Sequence, residues 1–366
     1  MIPFSLLRCC LPKGNLYVPR RSVHLMRALI PSHTDPNIAR HVSPAEGLKL
    51  EEVDVPQVRE DKVLVRVRAI AINRADILQR KGLYPPPPGV TQIPGLECAG
   101  EIAKIGPSCK RGFKEGDSVM AILPGGGYAD YCVVDESNLI HIPSKFSFEE
   151  AAAIPEVWIT AFQLLYWIVK AQANEYVLIH AGASGVGLAA IQLASKCLNG
   201  HVIATAGSQR KLEACIHFGA KQAFNYKEQD LSVSDNVRNV AIDGVHVILD
   251  CVGASMWNEN VKSLREDGRW VLYGTLGGAK LRECNLATLL GKRLSFYTTT
   301  LRGRTREYKT NLVKDFEKKI LPRLVDGTCV PVIDKVFDGV SNVAEAHAYV
   351  EANANIGKVV VKWTHC

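Results

Sequence analysis

A glycine-rich turn is the strongest chemical signal in the sequence. Residues 180–187 read His-Ala-Gly-Ala-Ser-Gly-Val-Gly and lie between an apolar segment and a helical segment. Such a turn brings backbone N–H groups and the positive end of a helix dipole to a pyrophosphate. The usual Gly-x-Gly-x-x-Gly pattern needs glycine at 182, 184 and 187, whereas serine stands at 184 here. The turn therefore predicts dinucleotide binding, and a plain tight turn without a ligand is the alternative. The predicted contacts are Gly182, Ser184, Gly185, Val186 and Gly187.

The segment after the next apolar run indicates which dinucleotide binds. NAD sites place an acidic residue there, but no Asp or Glu stands between Glu175 and Glu213. Ser208 is a candidate N-cap, which puts Arg210 and Lys211 in the first helical turn, where the helix dipole disfavours cations. A ribose 2′-phosphate removes that conflict, so the sequence predicts NADPH; cations that face solvent are the alternative. The contacts predicted here are Gly207, Ser208 and Lys211.

Alternating strands and helices position these residues. Apolar strands are predicted at 176–180, 202–206, 245–250 and 270–273, with helices at 188–198 and 210–218 between them. Near-continuous apolar strands separated by helices indicate a parallel sheet that is covered on both faces, here over residues 152–295. Residues 26–151 are rich in alternating strands and Gly/Pro turns. Residues 296–366, which end in the strand 359–361, are expected to return to that first unit.

Length, charge and hydropathy exclude several classes of protein. The 366 residues suffice for two domains, and no run of about 20 apolar residues predicts a membrane-spanning helix. The net charge is +7, but residues 1–25 hold four basic residues and no acid, so the rest of the chain carries only +3. That balance predicts no nucleic-acid surface.

The basic, partly apolar residues 1–25 suggest a mitochondrial presequence. An unstructured tail or a start codon read too far upstream is the alternative. The expected location is mitochondrial with such a presequence and cytoplasmic without it.

The cysteines and histidines predict no metal site. The 11 cysteines include no Cys-x-x-Cys pair and no Cys/His cluster with zinc spacing. Scattered single thiols are typical of a reducing compartment, and most of these are expected to be small buried residues.

Several short strings together resemble one family. They stand at residues 73–76, 95–97, 116–117, 123–128, 151–155, 181–187, 249–253 and 355–358. In these strings, over residues 26–362, the chain resembles the medium-chain dehydrogenase/reductase superfamily, specifically its zinc-free quinone oxidoreductase branch. Zinc-dependent relatives have a cysteine near the place of Asn73 and a histidine before Glu97, where this chain has Asn73 and Leu96.

The resemblance implies an architecture and further cofactor contacts. It implies an α/β fold in which a Rossmann-type doubly wound parallel sheet packs against a GroES-like β-rich catalytic domain. The active site would lie in the cleft between them, and the protein would be a homodimer. Tyr226 would join Ser208 and Lys211 around the 2′-phosphate, and three further residues would lie along the nucleotide. These are Gly253, Gly274 and Asn355.

The expected reaction needs few catalytic groups, because the cofactor carries the chemistry and a quinone is already electrophilic. Tyr84, before a proline run, is the candidate for stacking on the substrate and donating its hydroxyl to developing oxyanion charge. A packing role for Tyr84 is the alternative. Asn73 is expected to contact the nicotinamide or a carbonyl, and Ser184 to lie near the pyrophosphate or ribose. Arg74 and Asp76 are expected to form an internal salt bridge.

Three functions remain open at this point. The first is zinc-independent quinone reduction with NADPH. The second is NADPH-dependent reduction of a double bond in 2-enoyl thioesters. The third is non-enzymatic binding of NADPH and RNA, which the body charge of +3 disfavours.

Overall fold

Two sheets dominate the computed structural model, which describes residues 25–228 and 231–364. The predicted presequence therefore lies almost wholly outside the described residues. No helix in the described part of the chain is long and apolar enough to cross a membrane. Strands and helices are numbered below in chain order.

The strands of the described residues are β1 (Leu25–Pro31), β2 (Leu48–Asp54), β3 (Lys62–Ile72), β4 (Glu97–Ile105), β5 (Ser118–Ile122), β6 (Tyr131–Asp135), β7 (Leu139–His141), β8 (Tyr176–Ile179), β9 (His201–Ala206), β10 (Gln222–Asn225), β11 (Val245–Asp250), β12 (Leu264–Leu272), β13 (Ser295–Thr298), β14 (Ile333–Asp338) and β15 (Lys358–Lys362).

The α-helices of the same residues are α1 (Pro36–Ala39), α2 (Arg74–Arg80), α3 (Phe148–Ala152), α4 (Pro155–Phe162), α5 (Gly185–Gln192), α6 (Gln209–His217), α7 (Val233–Val240), α8 (Trp257–Ser263), α9 (Leu286–Gly291), α10 (Arg306–Lys319), α11 (Leu321–Val325) and α12 (Val343–Glu351).

The six strands β8 to β13 form one parallel sheet in the order β10-β9-β8-β11-β12-β13. This is the strand order of a dinucleotide-binding fold, and its ligands bind beyond the carboxyl ends of the strands. Side chains of these strands alternate between two cores because successive residues point to opposite faces. Val177 and Ile179 pack with α4 and α5, whereas Leu178 packs with α7 and α8. The predicted parallel sheet covered on both faces is confirmed.

The other large sheet is mixed and has the order β14-β15-β3-β4-β5-β7, with β6 paired to β3. Its last strand, β15, pairs antiparallel with β3, so the C-terminal piece does return to the first part of the chain. A separate pair, β1 and β2, is tied to this unit where Leu29 donates its N–H to Tyr128. The predicted α/β architecture, a Rossmann-type sheet plus a GroES-like β-rich unit, is thus present.

The boundaries of some predicted elements differ from the structure. The helix predicted over 188–198 begins at Gly185 and becomes a π-helix over Leu193–Cys197, so Leu198 falls outside it. Strand β12 begins at Leu264, well before the predicted 270. The sequence did not predict its first part because most residues there are polar and lack the apolar pattern. Strand β13 ends at Thr298, whereas residues 152–295 were the expected extent of the cofactor unit. We therefore propose the partition into a cofactor unit (152–298) and a mixed-sheet unit (25–151 and 299–364).

Candidate active site in the cleft between the sheets

The glycine-rich turn leads from β8 into α5. Ser184 caps the helix with extended backbone, and its Oγ accepts the N–H of Gly187 at 3.0 Å. A Cβ on Gly187 would lie 2.4 Å from the carbonyl oxygen of Ala181, so only glycine permits this turn. The N–H groups of Gly185 and Val186 lie in the first turn, where an α-helix provides no acceptor of its own. These features suit a pyrophosphate.

Close packing under the turn depends on a second glycine. A Cβ on Gly182 would lie 2.8 Å from Cβ of Ala204 on β9 and 2.9 Å from Sγ of Cys215 on α6. The absence of a side chain therefore lets the turn approach both elements. The predicted residues 182 and 184–187 thus all lie in one turn.

Cations gather around Asn353, next to the end of β9. The Lys211 ammonium donates to the Asn353 carbonyl at 2.5 Å, and Arg74 Nη2 donates to its side-chain oxygen at 2.6 Å. Desolvation and the nearby Lys227 lower the pKa of Lys211. Arg74, Lys227 and Arg210 are all close enough to disfavour the charged form of Lys211 and to favour an anion beside it. The cluster Arg74, Lys211 and Lys227 fits a phosphate.

Two predicted contacts line this cluster, and one predicted cation pairs with a carboxylate instead. Ser208 is the N-cap of α6 but makes no capping bond with its side chain, which is therefore available. The Tyr226 hydroxyl lies against Gly207, 2.9 Å from where a Cβ would be. Arg210, by contrast, pairs with Asp334 at 3.2 Å. Arg210 still adds to the positive potential at Lys211, but its carboxylate partner makes it the less suited of the two first-turn cations to bind a phosphate.

The carboxyl end of β11 forms another glycine turn. Asp250 accepts the N–H groups of Val252 and Gly253 at 2.6 and 3.0 Å, and Gly253 has φ +82°. A Cβ on Gly274 would lie 3.0 Å from the Cys251 carbonyl, so this neighbouring segment is also packed closely. The predicted contacts Gly253 and Gly274 therefore border the same edge of the sheet.

Residues 355–358 connect the mixed-sheet unit to the glycine-rich turn. The Asn355 side chain donates to the Gly357 carbonyl at 2.7 Å, and the Gly357 N–H donates to Ala183 at 2.8 Å. A Cβ on Gly185 would lie 2.8 Å from Cδ of Lys358 and 2.9 Å from Val157. The strand β15 and the helix α4 thus pack beside the turn.

Lys358 is the buried centre of a hydrogen-bond network in the mixed-sheet unit. Its side chain is 4% exposed and its ammonium donates to Glu97 at 2.8 Å, to Asn73 Oδ1 at 2.8 Å and to the Ile72 carbonyl at 2.9 Å. An ammonium has three N–H donors, so these bonds use it fully. The other oxygen of Glu97 accepts the N–H of Glu156 at 2.8 Å.

Asn73 has a supporting position rather than a free amide. Its Nδ2 donates to Glu97 at 2.8 Å and to the Ala71 carbonyl at 3.2 Å, while its oxygen accepts from Lys358. Both amide protons are therefore occupied. For one of these amide protons to reach the nicotinamide or a substrate carbonyl, as expected from the sequence, its present hydrogen bond must break.

The salt bridge expected between Arg74 and Asp76 does not form. Asp76 instead accepts the N–H groups of Asn73 and Gly95 at 2.8 and 3.0 Å, and burial raises its pKa to about 6. Arg74 instead reaches across to Asn353, as described above. The expected salt bridge is absent because the Asp76 side chain turns back to the N-cap backbone of α2, whereas the Arg74 side chain extends toward Asn353.

Tyr84 lies half-buried beside Arg302. The guanidinium carbon is 5.3 Å from the tyrosine ring centroid, and Arg302 donates to the Pro124 carbonyl and to Gln79 at 2.7 Å each. Arg302 itself is only 5% exposed. Burial raises the pKa of Tyr84, so its hydroxyl stays protonated at neutral pH. The pair offers an aromatic face, a hydroxyl and a positive charge.

Glu156, at the start of α4, completes this group. Burial, followed by the negative charge of Glu97, raises its pKa to about 8. Arg302 and Lys358 are near enough to oppose this effect without removing it. A carboxyl with such a pKa is protonated at neutral pH and is able to give a proton to a substrate.

Sequence reasoning missed Glu156, Arg302 and Lys358 as site residues. Glu156 directly follows one of the family-like strings and Lys358 ends another, which was a usable signal. Arg302 follows β13, and only the topology brings it beside Tyr84, 218 residues away. Among the described residues, no group of three or more His, Cys, Asp or Glu side chains is arranged to hold a metal ion.

Comparison with known proteins places the chain in a family. Residues 59–144 match the alcohol dehydrogenase GroES-like domain and residues 185–318 match the zinc-binding dehydrogenase family. The quinone oxidoreductase of Lama guanicoe is 31% identical over 319 residues, which cover 86% of this chain and 93% of that protein.

Solved structures share the whole architecture. Escherichia coli quinone oxidoreductase in complex with NADPH matches with a TM-score of 0.79 and 27% identity, covering 92% of this chain and 99% of that one. The CurK enoyl reductase matches with a TM-score of 0.79 and 25% identity, covering 93% and 99%.

The chain belongs to the medium-chain dehydrogenase/reductase superfamily. It is an oxidoreductase of that superfamily with the fold for a nicotinamide cofactor, and its relatives there include quinone oxidoreductases. The family resemblance stated from the sequence is confirmed.

Proposed function

We propose that this protein is a zinc-independent quinone oxidoreductase that uses NADPH. One arrangement carries the proposal: the glycine-rich turn packs on Lys358 and Val157, and Glu156, which precedes Val157, belongs to the group with Tyr84 and Arg302. A cleft with an aromatic face, a guanidinium and a protonated carboxyl suits a planar, electron-accepting carbonyl compound. The relatives named quinone oxidoreductase support the same substrate class.

In this proposal the chain binds NADPH through two anion sites. The first-turn N–H groups of Gly185 and Val186 hold the pyrophosphate, with Ser184 near the adjoining ribose. Lys211, with Ser208 and Tyr226, holds the 2′-phosphate, and Gly207 allows its close approach. Gly253, Gly274 and Asn355 border the rest of the nucleotide. When bound, the cofactor supplies a hydride.

The residues across the cleft act on the substrate. Tyr84 stacks on the quinone ring, and Arg302 stabilises the negative charge that develops on a quinone oxygen. Glu156 gives a proton to that oxygen, because its carboxyl is protonated at neutral pH. Asn73 and Glu97 position Lys358 and the N-terminus of α4, and so keep Glu156 in place.

A substrate screen tests this proposal. Purified protein is supplied with NADPH or NADH and a set of ortho- and para-quinones, and cofactor oxidation is followed by absorbance. We expect turnover of at least one quinone class with NADPH preferred. No reduction above the rate of the mixture without enzyme would overturn the proposal.

A double-bond reductase is the second candidate. Reduction of a 2-enoyl thioester needs a proton for carbon after hydride delivery, and the protonated Glu156 is able to supply one. The likeness to the CurK enoyl reductase supports this alternative. Turnover of enoyl thioesters in the same screen without turnover of quinones would select it.

We further propose that the protein is a homodimer that pairs through the edge of the parallel sheet. Strand β13 is the last strand of that sheet, and large apolar side chains are exposed on it and on α9 just before it. An unpaired strand edge with apolar neighbours favours association with a second copy. Light scattering is expected to give twice the chain mass. The exposed side chains are Leu286, Leu290, Phe296 and Tyr297.

A further inference from the structure

Two cysteine pairs of this protein have almost the same sulfur–sulfur distance but different surroundings. The Sγ atoms of Cys197 and Cys329 are 3.8 Å apart, and those of Cys98 and Cys132 are 3.5 Å apart. All four are free thiols. Neither pair belongs to the cleft described above.

The Cys197–Cys329 pair joins the cofactor unit to the mixed-sheet unit. Cys197 ends the π-helical continuation of α5, and Cys329 lies in the connection from α11 to β14. Gln192 holds this connection by accepting the N–H of Val330 at 2.9 Å and donating to its carbonyl at 3.0 Å. The two thiols therefore face each other across a contact that Gln192 holds, and a disulfide requires the sulfurs to approach from 3.8 Å to about 2.05 Å.

The surroundings of Cys197 suit a reactive thiol. It is partly exposed, whereas its neighbour Cys329 is fully buried. The sulfur of Cys329 is 3.8 Å away, and this contact together with the nearby Arg323 lowers the pKa of Cys197. A partly exposed cysteine with a lowered pKa next to a second thiol is the arrangement of a peroxide-sensitive cysteine and its resolving partner.

The second pair has the opposite surroundings. Cys98 and Cys132 are both buried inside the mixed sheet, and the contact with Cys132 and burial raise the pKa of Cys98 well above its usual range. Since the thiolate is the nucleophile and both sulfurs are buried, we expect this pair to react more slowly with peroxide despite its shorter distance. It serves as a matched internal control.

We propose that Cys197 and Cys329 are an oxidative modification site that forms a reversible disulfide with hydrogen peroxide. The Cys197 thiolate attacks one peroxide oxygen, the O–O bond breaks, and hydroxide leaves to become water with a proton from solvent. The resulting Cys197 sulfenic acid is attacked by the Cys329 sulfur, the S–O bond breaks, and a second water leaves with the Cys329 proton. The two thiols together lose two electrons and the peroxide gains them.

Peptide mapping of the full-length protein tests the proposal. The protein is treated with hydrogen peroxide, alkylated, and digested with trypsin without reductant. We expect a linked pair of peptides, residues 197–210 and 324–335, which dithiothreitol separates. Cys98 and Cys132 should stay unlinked under the same treatment. Absence of the linked pair, or equally fast linkage of Cys98 to Cys132, would overturn the proposal.

Matched variants separate the roles of the two sulfurs. In Cys329→Ser, we expect Cys197 to proceed to sulfinic acid because no thiol remains to resolve the sulfenic acid. In Cys132→Ser, the linked 197–210 and 324–335 peptides should still form at the parental rate. If Cys197 in the Cys329→Ser variant were no more oxidised than Cys98, it would not be the peroxide-reactive thiol. The measurement on the unsubstituted protein stands even if a variant fails to fold.

Discussion

At the scale of single residues, cofactor choice depends on Lys211. We expect Lys211→Glu to weaken NADPH binding by about 1.5–3 kcal/mol, roughly ten- to 150-fold, because a charged contact with the 2′-phosphate is lost. NADH lacks that phosphate, so its affinity should change little. Fluorescence titration with both cofactors measures the difference. Lys221→Glu, the same change at an exposed site at the start of β10, is the control for bulk charge. Equal losses for NADPH and NADH would contradict the assignment.

Tyr84 carries the proposed substrate contact. We expect Tyr84→Phe to lower turnover by roughly ten- to 100-fold, because the ring still stacks but the hydroxyl no longer reaches the developing charge. The NADPH dissociation constant should stay unchanged. Steady-state rates and cofactor titration measure the two effects, and Tyr297→Phe on the exposed edge strand is the matched control. Unchanged turnover would favour the alternative that Tyr84 has only a packing role.

Glu156 gives the reaction a pH dependence. Its pKa of about 8 means that the acid form prevails below pH 8, so turnover should be constant there and fall as pH rises past 8. We expect Glu156→Gln to lower the plateau by roughly 100-fold or more and to remove the fall. The pH–rate profile of both proteins is the measurement. A fall near pH 8 that persists in the variant would assign it to another group.

The same residue affects stability in a predictable direction. The pKa of Glu156 is raised from 4.5 on folding, so the folded state disfavours the charged form. The contribution of this group to stability is full below pH 4.5 and is lost as pH rises through 8. The Gln variant should lack that part of the pH dependence in denaturant titrations.

At the scale of elements, the sequence predicted the strands and helices better than the side-chain contacts between them. The parallel strands and the start of α6 after Ser208 were predictable because apolar runs and residues typical of helix starts are local signals, although the Ser208 side chain makes no capping bond. The glycine-rich turn was predictable for the same reason. Arg302, however, meets Tyr84 only after β13 has been placed in the sheet, and no local pattern encodes that contact. The direction of Arg74 likewise depends on Asn353, far away in the chain.

The turn before α5 gives a prediction at this scale. We expect Gly187→Ala to distort the turn, because its Cβ would lie 2.4 Å from the Ala181 carbonyl oxygen and 2.5 Å from that of Gly182. Cofactor binding should weaken for NADPH and NADH alike, since both carry the pyrophosphate. Gly291→Ala is the control: this glycine also lies in a helix, and no atom outside its neighbours lies within 4 Å of the added Cβ. Isothermal titration separates the two variants.

At the scale of the whole molecule, one buried ion pair connects the two units. Glu97 on β4 and Lys358 on β15 belong to the mixed sheet, yet the Lys358 side chain packs on Gly185 of the cofactor unit. Glu97 also accepts the first N–H group of α4, that of Glu156. The pair therefore orients parts of both units, and its charges are almost completely out of water. Such a pair gains little net free energy when formed but is costly to break, because the remaining charge stays buried.

This asymmetry gives a test of the junction as a unit. We expect Lys358→Met to lower the free energy of unfolding by about 3–5 kcal/mol, because Glu97 is left charged and without its cation. The double variant Lys358→Met/Glu97→Gln should recover part of this loss, since no uncompensated charge remains. Lys362→Met on the same strand removes only an exposed pair with Glu149 and should cost about 1 kcal/mol or less. Denaturant unfolding followed by tryptophan fluorescence measures these three variants and the single variant Glu97→Gln. If the double variant lost as much free energy of unfolding as the two single variants together, the two charges would not act as a pair. The contact between the two units would then depend on other residues.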